Sequence, residues 1–232
     1  MSLVSCAVAR PPNVRIAPAV ATPPPVATND AKPETPPPHG ASITIRNASR
    51  RYDFVIHPGA PAKVDVDDKS GATLQTITLE EIAIQRDDSG DVLVDSGELY
   101  DAQGTINVGD FDFDGREDFA IQVNQNGPYG GPTFDVWLQT ANDSFARSQE
   151  LSELTQTTLG FFQVDPDRRL LVTMAKSGCC WHETEEHEVR AGKPVVVHRV
   201  TEDAISDDQW VITTEEALVK GRWTKKVTRA PK

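Results

Sequence analysis

The chain has 232 residues, a net charge of −12, 38% apolar and 25% charged side chains, and a pI near 4.8. That composition supports a folded core in one domain or one domain plus a tail. The negative charge argues against nucleic acid or an anionic membrane as the main ligand and suits a basic protein partner.

Residues 1–6 end in Leu3-Val4-Ser5-Cys6, which looks like the lipobox closing a bacterial lipoprotein signal. Only Met1 and Ser2 stand where the charged and apolar parts of such a signal would be. Residues 7–41 hold ten of the 17 prolines. Such a run cannot build a core and reads as a disordered, semi-extended tether. A lipidated Cys6, a tether and a folded domain over 42–232 make the order of a protein held at a membrane by acyl chains.

From residue 42 onward the pattern predicts an all-β class. Short apolar and β-branched runs lie at 43–46, 52–57, 63–66, 74–79, 81–85 and 92–94. Others follow at 119–123, 134–138, 170–174, 181–189, 195–200 and 210–214, with Gly, Asp, Asn and Pro turns between them. Many short strands joined by turns predict an antiparallel sandwich, barrel or propeller-like meander. Residues 148–154 are the one place where a helical turn is expected.

Two features of the central stretch carry chemistry. Ser96-Gly97-Glu98-Leu99-Tyr100 follows a short strand at a place where a loop tip belongs. It reads either as a turn with Gly97 at the bend or as a tip whose two hydroxyls enter a partner's cleft. Next come Asp110, Asp112 and Asp114 at alternate positions, then Gly115, Arg116 and Asp118. Alternating oxygens around a tight turn suit calcium, a hard cation that takes six to eight oxygen ligands. Arg116 would add its backbone carbonyl and Asp118 another carboxylate. An EF-hand needs a bidentate Glu at loop position twelve, but Ile121 stands there, and a strand pattern follows.

Other constellations are weaker. His182-Glu183-Thr184-Glu185-Glu186-His187 is one residue too long for H-E-x-x-H, and on a strand its two histidines face opposite ways. An exposed strand is the expectation there. Cys179-Cys180 fits either a vicinal disulfide or two small buried thiols, since no C-x-x-C or zinc spacing is present. No nucleophile elbow, P-loop or dinucleotide fingerprint occurs, and nothing marks two of the many carboxylates as a hydrolytic pair, so no catalytic residue is singled out and a hydrolase with an unmarked carboxylate pair is the weakest alternative.

The order S-G-x-x-Y and then D-x-D/N-F-D-G-x-x-D resembles the periplasmic inhibitors of I-type lysozymes. It is more similar to the calcium-binding lipoprotein immunity proteins of bacterial type IV secretion killing systems. The matching residues are Ser96, Gly97, Tyr100, Asp110 to Gly115 and Asp118, with the run Phe134 to Leu138 and Phe145 downstream. Asp112 stands where relatives often carry Asn, which keeps an oxygen ligand and adds charge. The resemblance implies a compact antiparallel β-propeller-like domain and a calcium loop. It also implies a non-enzymatic role: a monomer, tethered in the periplasm at the outer membrane, blocks a lysozyme-like peptidoglycan hydrolase through Ser96, Gly97 and Tyr100. Tyr129, in the loop 124–131, is a second expected target contact. The alternative class is a calcium-stabilised adhesion or carbohydrate-binding module, because similar acidic loops occur in integrin-type propeller repeats.

Overall fold

The computed structural model describes residues 40–94 and 103–232, and the fold there is built of antiparallel sheets with one α-helix. The lipobox, nearly all of the proline-rich run, and Ser96, Gly97 and Tyr100 lie outside the described residues. No described helix is long and apolar enough to cross a membrane.

Three meanders follow one another along the chain. The first sheet holds β1 (Ile43–Ile45), β2 (Tyr52–His57), β3 (Ala62–Asp68) and β4 (Thr73–Leu79) in sequence order. The second holds β5 (Ile106–Gly109), β6 (Asp118–Asn124), β7 (Thr133–Gln139) and β8 (Phe145–Ser148). The third runs from β9 (Gln163–Asp165) through β10 (Leu170–Ser177), β11 (Trp181–Arg190), β12 (Lys193–Asp203) and β13 (Trp210–Val219) to β14 (Arg222–Pro231). Among the described residues the sheets close into neither a barrel nor a propeller.

Strand alternation decides what each sheet buries. In β2, Tyr52, Phe54 and Ile56 are buried while Asp53, Val55 and His57 are only half-covered, the period expected of a sheet with one covered face. Those side chains meet Phe119, Ile121 and Phe145 of the second sheet, with Phe54 set edge-on to Phe119 at 5.1 Å. The opposite face of the second sheet offers Ala120, Phe134 and Val136 to Phe161, Phe162 and Leu171. β6 is therefore buried on both faces, and its first five residues are all inaccessible. Removing a Phe from either layer would cost about 3–5 kcal/mol.

The helix α1 (Gln149–Thr157) starts at Ser148, whose hydroxyl accepts from the Leu151 N–H. Its buried Ser152 and Thr155 hydroxyls accept from the Val136 and Phe134 N–H groups. The helix thus carries on from β8 along the edge of β7, from Val136 to Phe134. It is two residues longer than the helical turn expected from the sequence, and it lies where that turn was placed.

Several strand expectations change. Residues 81–85 form no strand, and 92–94 make only isolated bridges, Arg86 to Val92 and Val94 to Ile106. β5, β8, β9 and β14 were not expected. His182 and His187 do face opposite ways, pairing with Lys176 and Leu171. His187, however, is buried rather than exposed, with Nε2 2.9 Å from the Thr173 hydroxyl.

Candidate functional site

The acidic loop joins β5 to β6, and its alternation serves two layers at once. Phe111 and Phe113 turn inward and are buried, Phe111 lying edge-on to Phe161 and Phe162 at 5.2 and 5.5 Å. Asp112 between them, and Asp110 and Asp114 on either side, keep to the accessible face. Gly109 permits this approach, because a Cβ there would stand 2.8 Å from the Phe111 ring. The turn itself needs positive φ at Phe113 (62°) and Gly115 (88°), a region that glycine enters freely and other residues enter at a cost. Phe113 is held there from outside, since Arg169 lies over its ring and donates to its carbonyl.

Of the four carboxylates expected to hold a cation, three come together. One carboxylate oxygen each from Asp110, Asp112 and Asp118 lies within 4.8 Å of the others. Asp110 accepts from the Asp114 and Gly115 N–H groups at 2.9 and 2.8 Å, which curls the loop. Asp118 is 1% exposed. Its two oxygens accept from the Phe111 and Gln139 N–H groups, both at 2.8 Å, so it fastens the loop to the end of β7. Burial pushes the Asp118 carboxyl up to about 7, against those N–H groups and helped by the charges of Asp112 and Asp110. Asp112 is also raised, first by burial and then by Asp114.

The Asp114 carboxylate stands outside that cluster, paired with the Arg116 side chain. The Asp114 carboxylate accepts from the Arg116 N–H at 2.8 Å and pairs with the Arg116 guanidinium. Arg116 also donates through Nε to the Gln139 carbonyl at 3.0 Å. In this arrangement the pair neutralises itself and braces the loop against β7.

The three-carboxylate cluster fits a hard cation. All three donors are oxygens, and each carboxylate has lone pairs beyond those used by the backbone. Burial and then neighbouring charge raise Asp112 and Asp118, and a divalent ion would offset both by favouring the ionised carboxylates.

Tyr129 sits at the other end of β6. The strand spans seven residues, about 20 Å, from the acidic loop to the turn that carries Tyr129. That turn is a short 3-10 segment, Pro128–Gly130, with Tyr129 at φ 58° and its side chain 62% exposed. The phenol oxygen accepts from the Gly178 N–H at 2.6 Å, and the Lys176 ammonium lies 4.7 Å from the ring centre. Gly178 opens the β10–β11 hairpin loop that holds Cys179 and Cys180, which are joined as a vicinal disulfide.

Sequence reasoning missed Gln103. It is buried, its amide nitrogen donating to the Phe161 carbonyl and its oxygen accepting from the Phe161 N–H. Gln103 also lines a cavity of about 170 Å³ with Pro128, Tyr129 and Leu159. It is the first described residue after Tyr100. The described flanks of the Ser96 to Tyr100 segment, Val94 and Gln103, therefore lie at the Tyr129 end of the second sheet, away from the acidic loop. No local motif marks Gln103; its role depends on the distant Phe161.

The chain matches no protein-family model and no curated protein. Its fold is similar to the solved structure of a Xanthomonas type IV secretion system related protein, with a TM-score of 0.60 and 22% sequence identity. The match covers 80% of this chain and 92% of that one. The chain thus shares its all-β architecture with a protein related to type IV secretion.

Proposed function

We propose that this protein is a non-enzymatic inhibitor of a lysozyme-like peptidoglycan hydrolase, acting as the immunity partner of a type IV secretion effector. The observation that carries this reading is the conjunction of an S-G-x-x-Y segment with the acidic loop, on a fold like that of a type IV secretion system related protein. Its place would be the periplasm, with the lipidated Cys6 anchoring a monomer to the outer membrane.

The two ends of β6 suggest a division of labour. Asp110, Asp112 and Asp118 would hold calcium, which would fix the β5–β6 turn and neutralise its carboxylates. The target would be met at the other end, by Ser96, Gly97 and Tyr100 with Tyr129 beside the flanks of that segment. A tyrosine suits a sugar-binding cleft, because its ring fills an apolar subsite while its hydroxyl hydrogen-bonds to a catalytic carboxyl. Calcium in this reading is structural and touches no target atom.

The test is a peptidoglycan-clearing assay in which the purified protein is titrated against candidate lysozyme-like peptidoglycan hydrolases. Stoichiometric loss of clearing supports the reading. Undiminished clearing at excess inhibitor, or turnover of glycan by the protein alone, overturns it.

A further inference from the structure

The third sheet ends in β14, and this strand differs from every other edge. The outer strands of the first two sheets and β9 run three to seven residues, but β14 runs ten. All ten residues are exposed, so both faces and the outer edge are open to solvent. A long bare edge presents a row of unpaired backbone N–H and C=O groups, which is a template for another strand.

Its charge is also reversed relative to the chain. Six of the 23 lysines and arginines (Lys220, Arg222, Lys225, Lys226, Arg229 and Lys232) fall after Glu216, and no Asp or Glu follows that residue. The remainder of the chain therefore carries the whole acidic excess. Lys225 and Lys226 reach back to Glu216 and Glu215 at 3.7 and 3.8 Å, exposed pairs that salt and competing carboxylates loosen easily.

The cations are divided between the faces. The register Lys225 to Glu216 and Arg229 to Ile212 puts Lys225 and Arg229 on one face with Trp223 and Val227. Arg222 and Lys226 fall on the other. A flat anionic surface laid on one face would meet only half of them. A second copy pairing antiparallel about Lys226, near the strand centre, would set that lysine against its own copy and would bring no carboxylate to either face. An incoming strand with carboxylates on both faces meets all four.

We infer that the β14 edge is a docking site for an extended acidic segment of another protein, which adds to the third sheet as a seventh strand. Backbone hydrogen bonds along the edge supply affinity, and the paired charges select the partner and its register. The half-exposed Trp223 and Val227 favour an apolar residue between the partner's carboxylates.

The experiment uses the whole chain and three ten-residue peptides. One carries adjacent Glu pairs separated by Val and Thr, so that both faces bear carboxylates, one has Lys in place of each Glu, and one keeps the Glu pattern but is N-methylated at alternate residues. Binding is followed by tryptophan fluorescence, and hydrogen exchange of the β14 amides reports strand addition. The acidic peptide is expected to bind, to slow exchange along β14, and to bind more weakly as salt rises. The basic and N-methylated peptides should not bind. Lys225→Glu with Lys226→Glu should weaken the acidic peptide by about tenfold or more and admit the basic one. Equal binding of the N-methylated peptide would mean a charged patch without strand addition and would overturn the inference. So would capture of phosphatidylglycerol vesicles with no peptide binding, dimers formed through β14, or no binding by any probe.

Discussion

The Tyr129 hydroxyl is fixed by the Gly178 N–H at 2.6 Å, which ties the β6–β7 turn to the disulfide-bearing hairpin of another sheet. One face of the ring stays open to solvent while its oxygen is held, so the side chain is presented rather than buried. Tyr129→Phe removes that hydrogen bond and is expected to cost about 1 kcal/mol of stability. Tyr129→Ala is expected to leave the calcium response of the melt intact and to weaken inhibition about tenfold. Thermal melts beside the clearing assay check both, and unchanged inhibition by the alanine variant would remove Tyr129 from the contact.

The stronger effect belongs to Tyr100. Interface energy concentrates in a few anchors, and truncating an aromatic one costs on the order of 2–4 kcal/mol. Tyr100→Ala should weaken inhibition by roughly thirtyfold or more, with melting unchanged. Ser96→Ala should cost less, and Gly97→Leu should cost more than its effect on folding accounts for. A Tyr100→Ala variant that inhibits like the parent shifts the contact to the Tyr129 turn.

Calcium should raise the melting temperature, because a ligand bound by the native state alone stabilises by mass action, about 2.7 kcal/mol at a hundredfold excess over Kd. Asp110→Ala or Asp112→Ala is expected to abolish that rise. Asp114→Ala should reduce it less, since the Asp114 carboxylate is engaged with Arg116. Identical melting curves in calcium and in chelator would contradict the assignment.

Local pattern made much of this fold legible. The alternation in β2, Tyr52 to His57, named its strand to the residue, because one buried face imposes period two. The alternating aspartates likewise announced a turn with oxygens on one side. What the pattern did not reveal depends on distant partners. β14 reads as a polar, charged segment, and it is a strand only because β13 pairs with it along its whole length. β9 is three residues long and takes its register from β10. Asp114 differs from Asp110 and Asp112 only through the Arg116 guanidinium, which no spacing rule anticipates. His187 is buried because it stands opposite Leu171, on the face of the third sheet that packs against Phe134 and Phe161, while the same sequence on a free hairpin would be wet.

Gln122 is 1% exposed, and neither atom of its amide has a partner among the described residues. A buried unpaired amide costs about 1–3 kcal/mol. Gln122→Met keeps the length and removes the polar atoms. It should raise stability by about 1 kcal/mol or more, read as a higher denaturant midpoint with an unchanged slope. A loss of stability would show that the amide is engaged.

His187 gives the protein a pH-dependent term of known sign. Its ring is 2% exposed between Thr173, Glu185 at 3.8 Å, and Arg199. Burial holds its pKa below the usual 6.5, with the Glu185 charge opposing and the Arg199 charge adding to the shift. The unfolded chain therefore binds a proton on this imidazole more readily than the native state does. Stability from the neutral, buried ring is fully present above about pH 6.5 and is lost as pH falls through the lower native value. Asp118 works in the opposite sense, since its raised carboxyl favours the native state as pH falls from 7 toward 4. A single melting profile mixes the two, but a comparison separates them. His187→Gln keeps a hydrogen-bonding partner for the Thr173 hydroxyl, does not titrate, and leaves Asp118 untouched. Between pH 7 and pH 5 the parent should lose melting temperature relative to this variant, while above pH 7 the two curves should run parallel. Parallel curves across the whole range would mean that the imidazole takes up its proton equally well folded and unfolded.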